Sequence, residues 1–600
     1  MRLQPHYLHH AAAAQVAAAP LRALALTLVL LFAWVAPGHA QTRTLKVELA
    51  APKPLADVLA ANLDIVRWSK RGDLTAGQLE QLYETALDQV RELAATEGYF
   101  TPTVKPSLEQ RNGVWVARFE VEPGEPTRVS SVEVSVSGPI AQDPDAAKRI
   151  EQARRAFRIQ PGAVFRQADW TLNKQRALRR IARLRYATAR IAESRADVDP
   201  QARTAALRLV IDSGPAVTIG APKVNGLQRY SPSVVLNLNP IPPGAPYDEE
   251  ALEKYQRRLL LSGYFASALV AADPDPAQPD NTPLLVTVVE APSRKVELGA
   301  GYSTDAGPRG QIRYSDNNLA GRALRLSTDV YVDRLVQEGR AALDFPRRES
   351  GWHYGLEAKI RDEDIQGQEV LDWSVTGGNL YLVEDYESAL TLQYLIERSE
   401  LPDGTRDNRS ALFLNQRWLW NTLDDPINPR RGYSFQVQGG AASESLLSTQ
   451  TFGRVHLRGN YLKPLARRVT LALRGEAGAV LADTREGIAS AYLFRTGGDT
   501  SIRGYAFESL GVDEGGAIVG GRYLAVGSVE LIGWITREWG AAVFADAGNA
   551  WDEIDEFDPV LGYGTGVRWR SPLGNLSLDV AWGEQRDDLR VHFSAGILLR

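Results

Sequence analysis

The chain is 600 residues long, carries a formal net charge of −5 and contains no cysteine. That length implies more than one domain, and the missing cysteine rules out disulfide frameworks, thiol nucleophiles and thiolate metal sites. The first forty residues contribute only Arg2 and Arg22 and no acid, so the remainder carries −7 and offers no basic footprint for nucleic acid.

In chain order, the first element is an apolar run, Ala23 to Ala36, followed by Pro37-Gly-His-Ala40. Fourteen residues fall short of the roughly 20 that a membrane-spanning helix needs. Positive charge before the run and a small-x-small site after it make residues 1–40 read as a secretory signal peptide, with a retained anchor as the alternative. Either reading sends the rest of the chain out of the cytoplasm. No other segment is long and apolar enough to span as a helix. A membrane role therefore requires a closed β-barrel, the other structure that satisfies its backbone in lipid.

From about Leu45 to Arg294 the pattern repeats. A helix over Gln78 to Phe100, with Leu79, Leu82, Tyr83, Ala86, Val90 and Leu93 at helical spacing, ends in Gly98-Tyr99-Phe100, and an extended segment Val114 to Val121 follows. A second helix, Glu249 to Phe265, ends in Gly263-Tyr264-Phe265 before the strand Leu284 to Glu290. Between them lie a helix at about Trp170 to Leu184 and a strand at Ala206 to Ile211, with Leu184-Arg-Tyr186 where the other units have Gly-Tyr-Phe. A recurring helix-then-strand unit describes small α+β domains in series, here 41–125, 126–215 and 216–292.

After Arg294 the period changes to two. Leu324, Leu326, Thr328, Val330 and Val332 alternate with Arg325, Ser327, Asp329, Tyr331 and Asp333, and Tyr354, Leu356, Ala358 and Ile360 with Gly355, Glu357, Lys359 and Arg361. A soluble sandwich gives the same alternation. Two features favour a membrane barrel over residues 293–600: charges recur along whole strands, as a wet lumen allows, and Trp or Tyr marks many strand ends. At roughly ten residues per strand plus loops, the segment suits about 16 antiparallel strands.

Catalytic signals are weak. Beyond residue 40 the histidines are His353, His456 and His592, single residues on strands that read as surface or lumen groups. Gly562-Tyr-Gly-Thr-Gly566 lacks the Lys-Ser/Thr and helix of a phosphate loop, and its glycines read as relief of crowding. Asp362-Glu-Asp364 and Asp552-Glu553 lack the spacing of a calcium loop and read as solvated loops. No enzyme activity, cofactor or metal site is expected.

Phe494-Arg-Thr-Gly-Gly-Asp-Thr-Ser-Ile-Arg-Gly-Tyr505 resembles the signature loop of the outer-membrane assembly factors, the superfamily that holds BamA, TamA and the two-partner secretion transporters. Gly497, Gly498, Asp499, Ile502, Arg503, Gly504 and Tyr505 carry the likeness. Ala545-Asp546-Ala547-Gly548-Asn549 resembles the family's Asp-x-Gly element, and Val529-Glu530-Leu531 fits a second acid on a neighbouring strand. Asn428-Pro-Arg-Arg-Gly-Tyr433, Gly566 to Gly574 and the closing segment His592 to Arg600 resemble further family elements. The α+β units resemble POTRA (polypeptide-transport-associated) domains, and three of them match the TamA branch.

This resemblance implies a loop folded back into the barrel, with Arg503 docked on wall carboxylates Asp546 and Glu530. It also implies a weak seam between a first strand (about Lys295 to Ser303) and a last strand (about Leu589 to Leu599); the alternation that begins after Arg294 and ends at Arg600 places the closure near Leu298 and Ile597. The implied role is assisting insertion or secretion of β-barrel proteins, autotransporters among them. The implied partners are those clients, outer-membrane lipid and a TamB-like periplasmic protein anchored in the inner membrane. A transporter of the two-partner secretion type, passing an unfolded chain through its lumen, is the alternative.

Overall fold

The computed structural model describes residues 44–71, 74–383, 385–425, 428–571 and 574–599. The segment read as a secretory signal lies outside them, as do Pro572 and Leu573 of the element before the last hairpin and the terminal Arg600.

Three α+β units precede the barrel. In the first, β1 (Leu45–Ala50), β2 (Thr103–Arg111) and β3 (Val114–Glu122) form a sheet in the order β1-β3-β2, with β1 parallel and β2 antiparallel to the central strand. Its long helix, Ala76–Thr96, starts at a capping box. Thr75 accepts the Gln78 N–H, and the Gln78 side chain accepts the Thr75 N–H. Leu79, Ala86, Val90 and Ala94 follow at helical spacing and share a buried core with Ala117 and Phe119 of β3. The second sheet repeats the order with β4 (Arg128–Ser137), β6 (Thr204–Asp212) and β5 (Arg190–Asp199), and the third with β7 (Ile219–Asn225), β9 (Thr282–Glu290) and β8 (Phe265–Ala272).

The turn after each long helix has one backbone conformation in all three units, although the middle unit lacks the glycine. Gly98 (φ 93°) and Gly263 (φ 81°) are left-handed, each just before a tyrosine. Arg185, before Tyr186, takes the same conformation with φ 68°. A non-glycine residue pays about 1–2 kcal/mol there, so the turn is kept while its glycine is not. The helix before it runs Gln167–Ala182, ending two residues ahead of the expected Leu184 because the turn needs Arg183 to Tyr186.

Sixteen antiparallel strands close into a barrel, from β10 (Arg294–Ser303) through β20 (Val469–Leu481) and then from β23 (Tyr523–Trp534) through β27 (Asp588–Leu599), while the short β21 (Val512–Glu514) and β22 (Ala517–Val519) pair with each other in between. Leu298, Ile312, Val330, Leu356, Val375 and Leu392 stand exposed on the outer face, where lipid is the solvent. Their neighbours along the strands pair inward as Arg313–Asp329 (2.8 Å) and Arg340–Glu357. Trp352, Tyr381, Tyr386, Trp420 and Phe435 touch in series along one rim, with ring centroids 5.2–6.2 Å apart, as an interfacial girdle does. Among the described residues no helix is long and apolar enough to cross a membrane.

The third unit is fastened to the barrel. The Tyr264 hydroxyl donates to Ala323 O at 2.7 Å, Asn317 Nδ2 to Gly263 O at 3.0 Å, and Arg325 Nη1 to Ser262 O at 2.9 Å. Where β9 ends, the Glu290 carboxylate accepts the backbone N–H groups of Gln228, Arg229 and Tyr230 and the Arg229 side chain. Burial alone would raise the Glu290 pKa, but these four donors pull it down to about 2.

Candidate functional site: the loop docked inside the barrel

Between β20 and β23 the chain leaves the sheet and folds back into the lumen over residues 482–522. Gly497 and Gly498 both have left-handed φ values, 109° and 104°, and a Cβ on Gly497 would lie 2.5 Å from Ala506 O. That permits the tight reversal in which the Gly497 N–H donates to Ser501 Oγ at 2.9 Å. Asp499 contributes its backbone, its N–H reaching Asp305 Oδ2 at 3.1 Å, and its carboxylate forms no ion pair among the described residues. Ile502 and Tyr505 are buried together with Val560, and the Tyr505 hydroxyl sits 2.6 Å from Gln585 Oε1.

Arg503 is only 2% exposed. Its Nε and Nη2 take both oxygens of Asp546 at 2.7 and 2.8 Å, a bidentate fork, and its backbone N–H also reaches Asp546. Nη1 lies 2.7 Å from Glu530 Oε2, and the guanidinium carbon sits 3.4 Å from the Phe544 ring centroid. Glu530 projects from β23, and Asp546 and Phe544 from β24 (Trp539–Trp551). The structure thus brings together the arginine and both carboxylates read from the sequence.

It also adds partners that the sequence reading lacked. Asp579 on β26 (Gly574–Gly583) lies 3.5 Å from Arg503 Nη1. Arg568 on β25 (Val560–Ser571) bridges Glu530 (2.7 Å) and Asp579 (2.6 Å), and Arg474 on β20 donates to Thr500 O and Ser528 Oγ. Arg474, Arg503 and Arg568 balance Asp546, Glu530 and Asp579, so the buried cluster is neutral as a set but leaves a charge exposed if one member goes. The Gly562-x-Gly-x-Gly566 pattern belongs here: a Cβ on Gly562 would fall 1.9 Å from Arg503 O, and one on Gly566 1.8 Å from Asp579 Oδ1. Those glycines let the loop and its salt bridges approach the wall.

His592 faces the lumen, as expected, but is 2% exposed, and its Nε2 accepts the Gly504 N–H at 3.0 Å. His456 lies 2.7 Å from Glu476. Glu363 of the Asp362-Glu-Asp364 cluster is not in a solvated loop. It sits on β14 (Trp352–Ile365) and pairs with Arg495 of the docked loop at 3.1 Å. Arg495 also meets Glu508 (2.9 Å) and the Ile365 carbonyl, and Ser490 donates through N–H and hydroxyl to the fully buried Glu397 of β16 (Tyr386–Glu400). Asp552 and Glu553 take Arg522, at the end of the loop. Among the described residues no group of three or more acids and histidines is arranged to hold a metal ion. The loop is therefore fixed on two flanks of the lumen, of which the sequence showed one.

At the seam, β10 opposes β27 from Leu298↔Leu599 to Ser303↔Ser594, so Ile597 faces Ala300 rather than Leu298. Beyond the ladder, the Thr304 N–H reaches Phe593 O at 3.0 Å.

A model of the Omp85 superfamily domain matches residues 293–598, and one of the surface antigen variable number repeat, a POTRA model, matches 217–291. The chain belongs to the Omp85 superfamily. It is 23% identical over 575 residues to outer membrane protein assembly factor BamA of Neisseria meningitidis, covering 84% of this chain and 70% of that protein. It is 26% identical over 428 residues to BamA of Nitratidesulfovibrio vulgaris, covering 68% of this chain and 53% of that protein. The solved structure of BamA from Haemophilus ducreyi lacking POTRA domains 1–3 superposes with a TM-score of 0.58 at 16% identity, over 78% of this chain and all of that one, which shows a shared fold. The named relatives are BamA proteins; none of them singles out the TamA branch. At the level of the superfamily this is an outer-membrane β-barrel with periplasmic POTRA domains, an assembly or translocation factor and not an enzyme.

Proposed function

We propose that this protein is an assembly factor of the TamA kind, which receives β-barrel clients, autotransporters among them, and helps their strands enter the outer membrane at the β10–β27 seam. The observation that carries this reading is the shape of that seam. Six residues of β10 pair with β27, whereas β16 and β17 (Arg406–Asn421) pair over fifteen. A short ladder leaves the remaining backbone donors and acceptors of an edge free to template an incoming strand by β-augmentation. The three α+β units that lie between residue 44 and the barrel support the TamA kind over a two-unit transporter. A TamB-like periplasmic protein is the proposed partner of those units, and outer-membrane lipid beside the seam is the medium that the client enters.

A loop fixed on two flanks of the lumen favours insertion at the wall over passage of a chain through the pore. The test is depletion of the protein in its own cell, with the folded yield of an autotransporter and of an ordinary porin read side by side. Loss of the autotransporter with porin spared supports the reading. Equal loss of both assigns a general BamA role. Large spontaneous conductance of the purified protein favours the transporter instead.

A further inference from the structure

A cavity of about 420 Å³ opens at the periplasmic end of the lumen, bounded by Val234, Leu238 and Tyr264 of the third α+β unit and by arginines of the barrel. We propose that this cavity is a binding site for a phosphate group.

Four arginines line it, and two are already spent: Arg340 bonds Glu357 at 2.7 Å, and Arg417 meets Glu387 at 3.4 Å. Arg325, on β12 (Leu324–Val332), and Arg347, in the turn between β13 (Val336–Asp344) and β14, have no carboxylate within ion-pair distance among the described residues. Each donates to a carbonyl instead, Arg325 to Ser262 O and Arg347 to Leu382 O. A guanidinium has five N–H donors, so most of theirs remain unused. Arg325 Nε is buried without any partner, and so is Nδ1 of the neighbouring His353. An unmet buried donor such as Arg325 Nε costs about 1–3 kcal/mol, which fits a ligand that supplies an acceptor.

The charge balance points the same way. The remaining acid of the lining, Asp344, lies 3.9 Å from His353 Nε2 and, among the described residues, pairs with neither arginine. Burial first, and then the neighbouring Arg325 and Arg258, hold the Arg347 pKa below its ordinary value. Two unpaired cations match a phosphate monoester, with a charge of about −1.5 to −2 and three acceptor oxygens, better than a single carboxylate. Val234, Leu238 and Tyr264 offer an apolar surface to whatever the phosphate is attached to. Free phosphate compounds and lipid headgroups share that chemistry.

Calorimetry on the full-length protein in neutral detergent, with inorganic pyrophosphate as the probe, tests the assignment. Saturable binding is expected, weakened at least tenfold in Arg347→Gln and in Arg325→Gln but unchanged in Arg458→Gln, a lumen arginine outside the cavity. Succinate is expected to bind at least tenfold more weakly. Because Arg325 also fastens the third unit, a second measurement uses the unaltered protein: pyrophosphate should slow phenylglyoxal modification of Arg325 and Arg347, read by mass spectrometry. No saturable binding, an equal loss in Arg458→Gln, succinate binding as tightly as pyrophosphate, or unprotected arginines would each overturn the proposal. A short-chain phosphatidic acid that binds more tightly than pyrophosphate assigns the site to a lipid headgroup; the reverse order assigns it to a free phosphate compound.

Discussion

The wall formed by β16 and β17 and the wall formed by β27 and β10 are made of the same kind of strand but are held differently. The first is a ladder of fifteen paired residues. At the second, six residues pair, and β27 divides its length, facing β26 from Asp588 to Ser594 and β10 from Ser594 to Leu599. What the seam lacks in ladder, the docked loop adds from inside. The Gly504 N–H bonds His592 on the last strand, and the Asp499 N–H bonds Asp305 just after the first. Backbone pairing is local and repetitive, whereas this closure depends on one loop being in place.

The largest effect is expected at Arg503. Removing it leaves Asp546, Glu530 and Asp579 with too few cations, and loss of one partner from a buried ion cluster costs about 3–5 kcal/mol, less where the lumen admits water. Arg503→Ala is expected to expose residues 497–516 to protease while the barrel remains folded by heat-modifiability on gels. In a double-mutant cycle with Asp546→Ala the losses should fall well short of additive. Additive losses would show that the two residues act independently.

Gly562→Ala should come next. Its Cβ would sit 1.9 Å from Arg503 O, so the loop must lift although every charged group is kept. Overpacking of this kind costs about 1–3 kcal/mol, and protection of the loop from protease should fall without loss of β27. Normal protection in this variant would mean that the loop does not lie against β25.

Arg495→Ala tests the opposite flank and should do less, because Glu363 keeps Arg361 at 2.9 Å when Arg495 is gone. Its bonds to carbonyls and carboxylates contribute about 1–3 kcal/mol. The expected sign is a rise in single-channel conductance with the β10–β27 seam unaffected. A conductance equal to that of the unaltered protein would show that this flank does not hold the loop across the lumen.

The most local effect lies outside the barrel. Glu290 has a folded pKa of about 2 against roughly 4.3 for an unfolded glutamate. A depressed carboxylate pKa stabilises the fold above the unfolded value, and that contribution disappears as pH falls from about 4 through about 2. Hydrogen exchange of residues 228–232, corrected for intrinsic rates, should therefore accelerate at pH 3 relative to pH 5, and Glu290→Gln should show the faster rate at both. Equal protection at the two pH values in the unaltered protein would contradict the assignment.

How much of this was legible depends on whether the chemistry is local in sequence. Period-two alternation after Arg294 reveals the barrel because every strand must present one face to lipid and the other to water. Arg503 and Asp546 are legible because each sits beside glycines that make a short recognisable pattern. Asp579, Arg568 and Arg474 are not: each is one lumen charge among many on an alternating strand, and only strand register brings them within 4 Å of one another or of the loop. Arg185 masked the turn of the middle unit because backbone conformation, not residue identity, is what that turn requires. His592 looked bland because its partner is a backbone N–H, and a backbone group leaves no mark in sequence.

The dependence of the seam on the loop is tested most directly by a disulfide across it. Ala300 and Ile597 are register partners, antiparallel partners lie about 4.5–5.5 Å apart at Cα, and the chain has no cysteine of its own to interfere. Ala300→Cys with Ile597→Cys should crosslink readily under mild oxidant in the membrane, and the yield should drop severalfold when Arg503→Ala is added. An equal yield with and without Arg503 would mean that the seam closes by its own six-residue ladder, and the loop would have no part in holding it.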